Sequence, residues 1–122
     1  MWMNAFYDQA ELESLSVAAY LALGNYEDAE AHAHRSLALL RPGMQRTRAI
    51  ATTRLAQAQL GQGDLERAAA PAMSVPTDPA GKHPRVAGML QDFGHALRVA
   101  APSSPVDRTW DEYIHATQRN AQ

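Results

Sequence analysis

The sequence predicts an all-α protein of five to six helices, and three observations lead to that expectation. Apolar residues recur at spacings of three and four, as in Val86, Leu90, Phe93 and Leu97. Turns built on Gly, Pro and Asn interrupt the pattern at intervals suited to helices. No segment combines period-two alternation with β-branched residues, so nothing argues for a sheet.

The first helix is expected from Asp8, with Glu11 placed three residues on as in a capping box. Leu12, Leu15, Ala19 and Leu23 follow at intervals of three and four and define its expected buried stripe. Gly24-Asn25 ends it, because both residues tolerate the left-handed backbone of a helix C-terminus. A second helix is expected over 27–40, with Ala29, Ala33, Leu37 and Leu40 inward, stopped by Arg41-Pro42-Gly43. The third, over 46–60, carries Ile50, Leu55, Ala56 and Leu60. After the turn Gly61-Gln62-Gly63, Asp64 caps a fourth helix over 65–74. Pro71 within it removes one backbone hydrogen bond, which predicts a kink or an early end. Pro76, Pro79, Gly81 and Pro84 then mark a break. The fifth helix reads over 85–99, and Ala101 to Pro105 separates it from a last helix near 107–118. That last helix packs through Trp110, Tyr113, Ile114 and Thr117.

A chain of 122 residues fits one domain, since single cores usually need about 100–150 residues. The absence of Cys excludes a disulfide scaffold, a Cys-based zinc module and a cysteine nucleophile. No apolar run, Ser36 to Leu40 included, approaches the roughly 20 residues of a membrane span. The first thirty residues hold six acids and no Lys or Arg, unlike the basic start of a secretory signal. A cytoplasmic protein without membrane contact is therefore expected. The net charge of −2 argues against direct nucleic-acid binding. Charge is laid out unevenly, however: Asp8, Glu11, Glu13, Glu27, Asp28 and Glu30 precede any base. Arg35, Arg41, Arg46, Arg48 and Arg54 follow with no acid among them.

No catalytic constellation emerges. Glu27, Asp28 and Glu30, and later Asp111 and Glu112, sit near helix starts where they complement the helix dipole. No phosphate-binding GxxxxGK loop and no G-x-S-x-G elbow occurs. His32 and His34, two apart on a helix, point about 200° apart, unlike the i, i+4 pair that grips zinc. The expectation is a non-enzyme with no metal and no cofactor, a small helical enzyme being the less favoured alternative.

The chain does repeat itself. Leu21, Gly24, Asn25, Tyr26, Glu27 and Ala29 correspond to Leu60, Gly63, Asp64, Leu65, Glu66 and Ala68, in a register of 39 residues. In a helical hairpin Gly ends the first helix and Asn or Asp starts the second. The large residue then plugs the hairpin, and the small Ala allows close approach. This pattern resembles the tetratricopeptide repeat, whose usual period is about 34 residues. The longer register implies an elongated loop or first helix around Arg41–Arg48. The aromatic and Leu-Gly positions of that repeat fall on Glu13, Ser16 and Val17, and on Thr52, Leu55 and Ala56, of which only Leu55 conforms. The resemblance implies a right-handed α-α superhelix with hairpins over 8–41 and 46–75 and a C-terminal pair over 85–119. A generic six-helix bundle is the alternative.

Stacked helix pairs curve, and the first helix of each pair lines the concave side. Arg46, Ile50, Thr53 and Gln57 share one face of the third helix, with Glu11 and Ser14 as neighbours on the first. If that face is concave, Arg46 pairs with a ligand carboxylate while Thr53 and Gln57 hydrogen-bond a protein, peptide or small effector. If it packs instead, Ile50 is core. Trp2, Phe6 and Tyr7 suggest either a packed helix extension or an interface, and a homodimer burying Trp2, Phe6 or Trp110 is the structural alternative.

More of the chain, about 8–116, is similar to the C-terminal region of actinobacterial helix-turn-helix transcriptional regulators of the Xre type. The similarity rests on Gly24 to Leu40, on Arg46–Gly63 and on His83-Pro84-Arg85-Val86. Abundant Ala, and Arg at ten of eleven basic positions, agree with GC-rich coding. The resemblance implies a regulatory, sensing role in transcription, as part of such a regulator or as a stand-alone relative. The DNA-reading part has no counterpart in these residues.

Overall fold

The computed structural model describes residues 2–75 and 84–120, with side chains at 9, 12–75 and 84–117. Every regular element among them is an α-helix: α1 (Trp2–Ala22), α2 (Tyr26–Leu39), α3 (Gln45–Gly61), α4 (Leu65–Ser74), α5 (Pro84–Ala100) and α6 (Pro105–Asn120). The expected all-α class and six helices are thus found. The proline-rich break and the side chains of Trp2, Phe6, Tyr7 and Glu11 lie outside the described residues.

The internal repeat is a repeat of backbone geometry. Gly24 and Gly63 both adopt left-handed φ, +74° and +83°, a conformation that a Cβ would strain. After α1, the amide of Asn25 donates to Tyr20 O at 2.8 Å and that of Gly24 to Leu21 O at 3.1 Å. After α3, Asp64 donates to Gln59 O at 3.2 Å and Gly63 to Leu60 O at 2.9 Å. Both turns therefore satisfy their last carbonyls by the same paired bonds of a Schellman motif. The following helices differ in one respect. The Asp64 carboxylate caps the amide of Arg67, whereas the Asn25 side chain makes no capping bond.

The inner faces of α2 to α6 follow the sequence pattern. Ile50, Ala56 and Leu60 of α3 share a cluster with Ala68, Ala72, Val86, Leu90, Phe93, Leu97 and Trp110. A second, smaller cluster joins Val17 of α1, Ala29 and Ala33 of α2, and Leu55 and Ala58 of α3. The two sides of α3 thus form a wall common to both. Close approach is enforced by small residues: a Cβ on Gly61 would run into the Tyr26 ring, and one on Gly94 into the Trp110 indole.

Three expectations need correction. The helix is already continuous from Trp2, so Asp8 is not a helix start and Asp8–Glu11 is no capping box. α4 runs over the expected 65–74, through Pro71 to Ser74, so of the two alternatives weighed at Pro71 the early end does not occur. A reciprocal cap does occur later, where Ser104 Oγ accepts from the Asp107 amide at 3.1 Å and Asp107 Oδ2 from the Ser103 amide at 3.2 Å. Most consequentially, the stripe expected inside α1 is outside. Leu12, Leu15 and Leu23 are 63%, 63% and 78% exposed, and Ala19 is exposed beside them. Finally, Trp110 is buried within its own chain, edge-on to Phe93 at 5.0 Å, which removes it from any dimer interface.

Candidate interaction site

The rotation of α1 has identifiable causes. Ala29 and Ala33 make a slot in α2 that admits Val17, which is 1% exposed. The same face carries two polar side chains that find partners across the interface. Glu13 Oε2 lies 2.5 Å from His32 Nδ1, and the His32 ring stacks on Tyr20 with centroids 5.1 Å apart. Ser14 accepts two bonds from Arg54 Nη1, at its carbonyl (3.0 Å) and hydroxyl (2.6 Å). Turning the leucine stripe inward would break all of these, carrying Glu13 and Ser14 out to solvent and leaving the half-buried Arg54 without its acceptors, a cost of about 1–3 kcal/mol.

The outcome is a helix apolar on two sides. Leu12, Leu15, Ala19 and Leu23 fall within a sector of about 80° and span about 16 Å along the axis. Large apolar side chains aligned in this way differ from the scattered ones normal on a surface. Acidic residues flank the ridge in sequence. Asp8 and Glu11 precede it in sequence, and exposed Glu27 and Asp28 open α2 just beyond Leu23.

The residues expected to line a groove separate into different environments. Ile50 is 8% exposed within the larger core cluster, and Thr53 is fully buried with its hydroxyl donating to Ala49 O at 2.8 Å. Both are packing residues, as in the alternative weighed for this face, because α5 covers α3 there through Val86 and Leu90. Gln57 is half-buried, Arg46 is exposed, and Ser14 is engaged by Arg54; Glu11 lies outside the described side chains. Burial first, and the charge of Arg85 second, lower the pKa of Arg54, although an arginine stays protonated at neutral pH.

A polar network that the sequence pattern did not reveal ties α2, α3 and α4 together. Glu30, only 12% exposed at its side chain, accepts from Gln62 Nε2 at 2.8 Å and Gln59 Nε2 at 3.1 Å. Arg67 Nη2 lies 2.8 Å and His34 Nε2 3.5 Å from the same carboxylate. Burial alone would raise the Glu30 pKa. The bonds from Gln62 and Gln59, then the Arg67 charge and His34, outweigh it and hold the carboxyl below its ordinary value. A carboxylate this fully engaged is a clamp between helices rather than a base. Among the described residues no group of three or more His, Asp or Glu is arranged to hold a metal ion, and no helix is long and apolar enough to cross a membrane.

The chain matches no family model, no curated protein and no solved structure. Its site is accordingly read from its own chemistry.

Proposed function

We propose that this protein is a non-catalytic interaction module, built from tetratricopeptide-like helical hairpins, that docks another protein on the outer face of α1. One observation carries the reading: Leu12, Leu15 and Leu23 stand 63–78% exposed on a helix whose opposite side is already packed through Val17. A helix apolar on both sides is normally an interior element, so the open side of α1 is a surface for a further layer. The recurrence of the same hairpin turn supports the repeat assignment. On the resemblance of residue pattern between Gly24 to Leu40, with its neighbours, and the regulatory region of Xre-type regulators, we place the module in transcription control, within such a regulator or beside one.

The test uses the full chain as bait in extract of the source cells, beside a Leu12→Ser/Leu15→Ser double variant with unchanged far-UV ellipticity. A partner retained by the wild type and lost by the variant is the expected result. Equal retention by both baits would sink the assignment of the α1 face.

A further inference from the structure

The geometry points to a particular kind of occupant for the α1 ridge: an amphipathic helix of a partner protein whose apolar stripe is flanked by Lys and Arg. This rests on the reading of α1 as a docking face and adds the chemistry of what docks there. The ridge fits one helix. Leu12, Leu15, Ala19 and Leu23 extend over three turns, about 16 Å, in a single line rather than a broad patch. A line of this shape is covered by side chains that themselves recur at spacings of three and four.

Charge then selects the partner. Six acids and no Lys or Arg occur in the first thirty residues. Glu13 and Glu30 are taken up internally by His32 and Arg67. Glu27 and Asp28 are exposed and have no ion pair among the described residues, just past the Leu23 end, and Asp8 and Glu11 precede the Leu12 end. A second copy of this chain fits poorly by the same count. Antiparallel pairing sets Leu12 opposite Leu23 and Leu15 opposite Ala19, but brings the Asp8–Glu11 end of one copy over the Glu27–Asp28 end of the other. Parallel pairing sets each acidic end against itself. Like-charge juxtaposition opposes association in both orientations, whereas a basic helix neutralises both ends at once.

Three synthetic peptides with one shared leucine stripe decide the matter, their polar positions being Lys/Arg, Glu/Asp or Gln/Ser. Binding to the full chain is followed by fluorescence anisotropy, with sedimentation equilibrium of the chain alone. The basic peptide is expected to bind at least about tenfold more tightly than the neutral one, and to weaken as salt rises from about 0.05 to about 0.5 M. Leu12→Ser/Leu15→Ser should abolish its binding, although that variant keeps every acid, which separates docking from general attraction to an acidic surface. Glu27→Gln/Asp28→Asn, which leaves the ridge intact, should reduce the preference for the basic peptide severalfold. Equal binding of the basic and neutral peptides, or tighter binding of the acidic one, overturns the basic partner and leaves the docking face standing. Binding of none of the three overturns the docking face itself. Self-association of the chain that the Leu12/Leu15 variant removes replaces the basic partner by a second copy.

Discussion

Glu30 shows how one side chain can hold three helices in register. Its carboxylate receives Gln59 and Gln62 from α3 and Arg67 from α4 while sitting on α2. Because its folded-state pKa lies below its unfolded value, its stabilising contribution is present above the unfolded pKa. That contribution is lost as pH falls through the folded pKa. Glu30→Gln should therefore cost about 1.5–3 kcal/mol at neutral pH, the range for bonds to a charged acceptor. The gap to wild type should close on acidification as the native carboxyl protonates. Urea denaturation of both proteins from about pH 7 to about pH 3 checks this. A gap that stays constant with pH would mean that the loss is one of packing, not of charge.

At the scale of elements, α1 is where sequence and structure part. The inner faces of α2, α3 and α5 were legible because each helix has one apolar side. Ile50 and Leu60, or Val86, Leu90, Phe93 and Leu97, had nowhere else to go. On α1 two apolar stripes compete: Leu12, Leu15, Ala19 and Leu23 on one side, Val17 and Leu21 on the other. Periodicity favours the larger leucines. The choice is made instead by contacts distant in sequence, namely the Ala29–Ala33 slot, Glu13 with His32, and Ser14 with Arg54 forty residues away. Such pairs leave no local signature, and for the same reason the groove set of Arg46, Ile50, Thr53 and Gln57 was dispersed once α5 covered its middle. The orientation of α1 has a direct test. Val17→Ala should destabilise by about 1–3 kcal/mol through loss of buried methyl groups. Leu15→Ala, despite removing more apolar volume, should stay within about 0.5 kcal/mol of wild type, as exposed positions do. The reverse order in chemical denaturation would restore the leucine stripe to the core.

Across the whole molecule, stability should be graded from the α1 end to the α3–α6 cluster rather than uniform. The cluster beneath α1 contains three alanines, one valine and one leucine. The cluster spanning α3 to α6 contains Phe93, Trp110 and the large aliphatic residues around them. Apolar area buried sets most of the local free energy, and in stacked helical hairpins each unit is held chiefly by its neighbours. Among the described residues α1 rests only on α2 and α3, whereas α3 is held from both sides. Amides of α1 should consequently exchange with solvent at least about tenfold faster than those of α3 and α5. Occupation of the leucine ridge alters that ranking in a specific way. A docked helix covers the ridge side of α1, so its amides should slow while those of α5 and α6 stay nearly unchanged. Hydrogen exchange of the free chain, and of the chain saturated with the basic peptide, measures both effects. Protection of free α1 equal to that of α5 would show that the small cluster is no weak end. Slowing spread evenly over all six helices would assign the peptide's effect to global stabilisation instead of to contact with α1.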